Sequence, residues 1–262
     1  KALRQYNTLA LPASAEAFVT VTSDAELVSA LRWAKDHNLP VVPLGQGSNV
    51  VLAGDVSALV LRQNTRGLRV LEKRASSVSL RVAAGENWHE FVQWSLQQGY
   101  YGLENLALIP GTVGAAPIQN IGAYGVELQS VLLRVHARRI ANDEHVVLNK
   151  AACAFGYRES IFKSELKDAL VITAIDLQLS LHPSVKTSYP ELERYFEKFH
   201  MEEPIPQEVF DAVVSIRRSK LPEPSSEPNV GSFFKNPLVS PELAQELVEK
   251  YPSLPCYEQD DG

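Results

Sequence analysis

The sequence predicts an α+β fold. Apolar residues recur at both strand and helix spacing, and strand-type runs outnumber helical ones through the middle of the chain. A glycine-rich loop at 45–49 also runs on into β-branched residues rather than into a helix. Taken in order, residues 17–21 form a short β-type run. Residues 24–37 carry Leu27, Leu31 and Ala34 near helical spacing, with Ser23 as N-cap and Glu26 three residues on. A buried strand over 39–44 leads into Gly45, Gln46, Gly47, Ser48 and Asn49, and short strands at 50–53 and 59–62 follow around Gly54-Asp55. Residues 78–84 alternate like a half-buried strand. Residues 86–98 place Trp88, Phe91, Val92 and Leu96 on one helical face that stops at Gly99. The runs 131–140 and 145–148 flank a hairpin signal at 141–144. A long apolar strand over 169–181 follows, then a helix over 207–220 that buries Val209, Phe210, Val213 and Ile216.

Composition narrows the function classes. The 262 residues suffice for one large domain or two ordinary ones. The charge sum, 25 − 31 = −6, argues against nucleic-acid backbones as partners. Two cysteines, Cys153 and Cys256, build neither a disulfide framework nor a four-cysteine zinc site, which points to a reducing compartment. The longest uncharged stretch, 105–126, holds Pro110, Pro117 and four glycines, so it is no membrane span. No secretory apolar region opens the chain. The six histidines show no ligand spacing, and Trp88-His89-Glu90 is not H-E-x-x-H, so no metal is expected. Charge is uneven. Residues 1–220 hold 23 acids and 23 bases, while the last 42 hold eight acids and two bases. That break coincides with three prolines in residues 221–228, which read as an inter-domain crossing.

Four stretches carry candidate chemistry. Gly45–Asn49 begins like G-x-G-x-x-G but has Val50 in place of the third glycine and no helix behind it. It can present amides as an anion nest, with Ser48 and Asn49 as extra donors; taken alone it reads more readily as an ordinary connection. The 109–125 segment is a long irregular stretch in which Gly111, Gly114, Ala115, Ala116, Gly122 and Gly125 allow close backbone approach. Gln119 and Asn120 offer donors and acceptors for a heterocycle edge. Tight packing of a helix end explains the same small residues equally well. Phe155-Gly156-Tyr157-Arg158 sets an arginine among aromatic residues, either as a surface residue or as a bidentate clamp for an anion. In Gly231-Ser232-Phe233-Phe234-Lys235-Asn236-Pro237 the serine is a packing residue unless a dry pocket makes it a proton donor. Arg217, Arg218 and Lys220 close a helix, where positive charge complements the dipole.

In this order the four stretches resemble the UDP-N-acetylenolpyruvoylglucosamine reductases of bacterial cell-wall synthesis, over nearly the whole chain. The resemblance implies the vanillyl-alcohol-oxidase-like FAD-binding fold in two subdomains, here 1–67 and 68–220. It also implies that a substrate-binding domain starts at 221–262 and is truncated in this chain. It implies non-covalent FAD, NADPH as reductant and a nucleotide-sugar substrate in a monomeric enzyme of the bacterial cytoplasm. Gly45–Asn49 would hold the FAD pyrophosphate. Ile109, Pro110, Gly111, Gly114, Ala115, Ala116, Ile118, Gln119, Asn120, Gly122, Tyr124 and Gly125 would line the flavin. Ser232 would donate a proton to C2, and Arg158 would polarise the substrate carboxylate. Tyr157 and Tyr189, in the subtype with a substrate-closing tyrosine loop, would line the substrate site with Arg217, Lys220 and Asn236.

One feature departs from the family pattern. Its third catalytic group is a glutamate near the C-terminus, and this chain ends upstream of it, so a fragment is expected; neither Glu242 nor Glu258 sits in a matching motif. Two rival readings remain. One is an oxidase of the same fold with histidine-tethered FAD, against which stands the absence of histidine from both loops. The other is a non-catalytic flavin- or nucleotide-sugar-binding module.

Overall fold

The computed structural model describes residues 1–256, in two compact units, Lys1–Gly231 and Ser232–Gly262. Within the first unit the chain opens with β1 (Ala15–Val21), α1 (Asp24–Asp36), β2 (Val41–Leu44) and β3 (Val56–Gln63). These strands form a parallel three-stranded sheet in the order β1-β3-β2. Leu27, Leu31 and Ala34 of α1 pack on Val21, Val41, Leu59 and Leu61, the face that helical spacing assigns to them. Ser23 caps α1 by accepting from the Glu26 amide at 3.2 Å. The Glu26 carboxylate accepts from the Thr22 amide and hydroxyl at 2.7 and 2.8 Å.

The strand expected at 50–53 does not form, and β3 starts at Val56. A parallel pairing of β2 with β3 requires the chain to return to the starting end of β2 first. Residues 45–55 make that return. Val50 and Leu52 pack inward on Leu3, Leu44 and Val60 without pairing in a ladder, while Val51 is exposed.

The larger sheet comprises β4 (Leu68–Lys73), β5 (Ser77–Ala83), β8 (Leu132–Arg139), β9 (His145–Asn149) and β10 (Leu170–Ser180). It is antiparallel, in the order β4-β5-β10-β8-β9. Between β5 and β8 lie α2 (Trp88–Gln97) and the two-residue strands β6 (Gly122–Ala123) and β7 (Val126–Glu127). Val78, Leu80 and Val82 alternate inward from β5, and Ile175, Leu177 and Leu179 from β10. Trp88, Phe91 and Val92 of α2 cover that face, together with α3 (Pro190–Lys198) and α4 (Pro206–Lys220). At the sheet's centre Asp176, 1% exposed, receives Arg81 at 2.7 and 2.9 Å and faces His136 Nε2 at 2.9 Å. Burial alone would push this carboxyl up. The hydrogen bonds from Arg81 and His136 outweigh it and hold the group well below the usual carboxylate range.

In the second unit, α5 (Pro241–Lys250) is capped by Ser240, whose hydroxyl accepts from the Leu243 amide at 3.4 Å. Among the described residues no helix is long and apolar enough to cross a membrane.

Candidate functional site

Two of the predicted segments meet. Gln46 accepts from the Gly111 amide at 3.1 Å, and Asn49 donates to Gln119 at 2.9 Å. A Cβ on Gly45 would lie 2.6 Å from the Thr112 hydroxyl, and one on Gly111 would lie 3.2 Å from the Ser48 hydroxyl. Gly47 has φ +67°, and a Cβ there would fall 2.1 Å from the Tyr6 carbonyl oxygen. The far loop is anchored to the large sheet: Gly114 donates to Ala84 O at 2.8 Å, and a Cβ on Gly114 would sit 2.5 Å from Ala84 Cβ. It is anchored to the start of α2 as well, where Trp88 N donates to Gly111 O at 3.1 Å and Val113 N to Glu86 O at 2.9 Å.

The donor chemistry of these loops fits a dinucleotide diphosphate. Among the described residues the amides of Gln46, Gly47, Ser48 and Asn49 donate to no protein acceptor. They lie in a turn whose glycines leave no side chain in the way. Two residues past the end of β3, Thr65 Oγ1 is buried without a partner, and a Cβ on Gly85 would strike the Thr65 backbone at 2.5 Å. Gly45–Asn49 could thus hold the phosphates, and the 109–125 segment could hold the ring system beside them.

A second cluster grows from the far end of that segment. Asn120 is fully buried with φ +43°. Its amide donates to Glu127 at 2.8 Å and Gly156 O at 3.1 Å, and its carbonyl oxygen accepts from Gln129 N at 3.0 Å. Arg158, φ +55°, donates to Gly122 O at 2.5 Å and Asn120 O at 3.5 Å and lies over the Tyr157 ring. Arg217 of α4 donates to Leu108 O at 3.2 Å and hydrogen-bonds Tyr124. The Tyr124 ring meets Tyr189 edge-on at 5.4 Å. Burial lowers the Arg217 value, with Tyr124 opposing and Arg158 adding to the shift. Burial raises the Tyr124 hydroxyl against the Arg217 charge, and Glu191 raises it further. Lys220 pairs with Glu191, and Tyr189 is the residue that caps α3. Two guanidinium groups therefore face one loop, an arrangement suited to an anion.

Ser232 and Asn236 belong to the second unit, where both are exposed and Phe233 and Phe234 meet edge-on at 5.1 Å. Glu242 lies in the first turn of α5, and Glu258 lies outside the described residues. Cys153 is buried and its thiol is pushed up to about 11 by burial. The described residues contain no group of three or more His, Cys, Asp or Glu that could hold a metal. Sequence reasoning missed Thr112, Glu127 and His89. Glu127 was legible only as the first charge after the uncharged stretch, and His89 only as a half-polar position beside Trp88.

Against this geometry, the family described as FAD binding domain matches residues 15–147. A UDP-N-acetylenolpyruvoylglucosamine reductase of Chromobacterium violaceum is 44% identical over 99% of this chain and 76% of its own length. One of Pseudomonas aeruginosa is 42% identical, with the same coverage. The crystal structure of UDP-N-acetylenolpyruvylglucosamine reductase from Thermus caldophilus superposes with TM-score 0.64 at 25% identity, covering 94% of this chain and 78% of that one. The fold is thus an α+β FAD-binding fold, and the protein is an FAD-containing oxidoreductase. With that identity sustained from end to end, the chain belongs to the UDP-N-acetylenolpyruvoylglucosamine reductase family.

Proposed function

We propose that the protein reduces the enolpyruvyl group of UDP-N-acetylglucosamine enolpyruvate to UDP-N-acetylmuramate, in peptidoglycan synthesis. Residues 1–67 and 68–220 serve as the two FAD-binding subdomains, and 221–262 belong to the substrate-binding domain. FAD, which Gly45–Asn49 and the 109–125 segment would hold, would supply the redox chemistry that carries hydride from NADPH to C3 of the substrate. The observation that carries this reading is the convergence of Arg158 and Arg217 on the loop that also closes the glycine cradle.

Hydride addition at C3 drives negative charge through C2 into the substrate carboxylate. Arg158 meets that charge with a guanidinium already fixed by the Asn120 and Gly122 carbonyls, so it acts chiefly on the transition state. Ser232 delivers the proton to C2. Serine is a weak acid, but the carbon it serves is a strong base, and placement suffices. Tyr157, Tyr189, Arg217, Lys220 and Asn236 bind the nucleotide sugar. FAD is held without a covalent bond, in a monomer of the bacterial cytoplasm.

The test is NADPH oxidation by the purified full-length flavoprotein with and without the enolpyruvyl nucleotide sugar. Turnover must depend on it; a yellow protein with no substrate-dependent turnover refutes the assignment. Rapid-mixing experiments on Ser232→Ala should show normal flavin reduction by NADPH and slowed reoxidation by substrate. Equal loss in both half-reactions removes the serine from its role. Flavin that stays with acid-precipitated protein contradicts non-covalent binding.

A further inference from the structure

Leu108, at the mouth of the flavin-lining segment, has φ +57°, a conformation that a leucine side chain disfavours by about 1–2 kcal/mol. Something must hold it there. Its carbonyl accepts Arg217 Nε at 3.2 Å, and its amide donates to His89 Nδ1 at 3.1 Å. His89 is itself fixed, with its ring stacked on Phe210 of α4 at 5.4 Å and 10° between planes. The start of α2 grips the same stretch at two other points, Trp88 Nε1 to Leu106 O at 2.9 Å and Trp88 N to Gly111 O at 3.1 Å. Of these three bonds only the one at His89 can be switched by a proton.

We infer that His89 is a positioning residue: by accepting the Leu108 amide it holds the left-handed turn that aims the 109–125 segment at the flavin. The inference rests on the FAD-binding reading above. An imidazole accepting at Nδ1 must be neutral, with its proton on Nε2. Burial disfavours the charged ring, Arg218 and Arg217 of α4 act in the same sense, and Glu90 beside it on α2 opposes them. Glu104, in the 104–106 turn packed against both helices, directs its carboxylate to the Gly102 amide instead. Protonation would put a second N–H against the Leu108 amide and release the turn.

The test compares the parent with His89→Phe, which keeps the stack and removes the acceptor, and His89→Asn, which keeps an acceptor near the Nδ1 position but cannot titrate there. Apo-protein is titrated with FAD, and the visible circular dichroism of the bound flavin is followed from pH 8 to pH 5. His89→Phe should bind FAD on the order of tenfold more weakly and change the flavin spectrum. His89→Asn should recover most of the affinity. The parent should show a spectral transition with its midpoint below the ordinary imidazole value of 6.5, and His89→Asn should not. A purely structural role would lower the melting temperature and leave the flavin spectrum and its pH dependence alone. Parent-like affinity and spectrum in His89→Phe, or a transition that persists in His89→Asn, overturns the inference. If His89→Phe fails to fold, the pH comparison of parent with His89→Asn decides alone. A parent that binds no FAD fails the underlying reading instead.

Discussion

Replacing Gly47 by alanine tests the cradle most directly. The added Cβ would lie 2.1 Å from the Tyr6 carbonyl oxygen and 2.8 Å from Asn7 Cα, both backbone atoms. The Tyr6–Asn7 segment cannot give easily, because buried Asn7 ties it down through Leu3 O at 3.0 Å and the Leu11 amide at 2.9 Å. The loop must therefore move, by about 1 Å to reach ordinary contact. The left-handed φ adds about 1–2 kcal/mol for a residue with a Cβ, and overpacking adds about 1–3 kcal/mol. The sum, about 2–5 kcal/mol, corresponds to at least about a thirtyfold loss where flavin binding requires the original loop geometry. Gly54→Ala is the control, since a Cβ there meets nothing within 4 Å. Fluorescence titration of apo-protein with FAD, beside a melting curve of each variant, reads the difference. Gly47→Ala binding FAD within about threefold of the parent would refute the cradle, and so would an equal loss in Gly54→Ala.

Asp176→Asn should destabilise the first unit without touching the cradle. Breaking a buried, paired carboxylate costs about 3–5 kcal/mol, taken at the low end here because Arg81 can reach water; the melting temperature should fall by roughly 6–12 °C. Because the folded carboxyl lies below its unfolded value, this stabilisation is complete above about pH 4 and is lost as pH falls further. An acid titration of stability should therefore be flatter in the variant. Of the two cysteines, exposed Cys256 should react promptly with a thiol reagent at pH 8. Buried Cys153, with its thiol pushed up to about 11, should react only after denaturation. Two fast equivalents in the native protein would contradict that burial.

Much of the scaffold is legible locally. The alternation through β5 and the Trp88–Phe91–Val92 face of α2 state their burial outright, and Ser23 announces the start of α1. β4 was not legible, because all six of its residues are exposed and only pairing with β5 makes it a strand. Residues 50–53 misled for the opposite reason: their β-branched side chains suit a strand, but the parallel register of its neighbours uses that stretch as the return crossing. The candidate site divides the same way. Its glycines stand out in the sequence, but the bonds joining Gln46 to Gly111 and Asn49 to Gln119 span 65 and 70 residues, where no local pattern reaches. Nothing in a leucine signals a left-handed turn, so Leu108 and the histidine that holds it were invisible.

Of the ten non-glycine residues with positive φ among the described residues, four, Leu108, Asn120, Tyr124 and Arg158, lie in or against the 109–125 segment. Such conformations persist only where surrounding bonds over-determine them, as the three partners of Asn120 do. Arg158 allows the strain to be separated from the side chain's work. At φ +55° glycine is unstrained and alanine is not, so Arg158→Gly should be more stable than Arg158→Ala by about 1 kcal/mol, roughly 2–4 °C in melting temperature. At an ordinary loop position the order reverses, because glycine loses more entropy on folding. Both variants lack the guanidinium, so both should lose substrate-dependent turnover to the same extent while still reducing flavin with NADPH. Alanine equalling or exceeding glycine in stability would mean the turn at Arg158 is not strained. A stability gap accompanied by unequal turnover would mean the backbone, rather than the charge, is what the substrate reads.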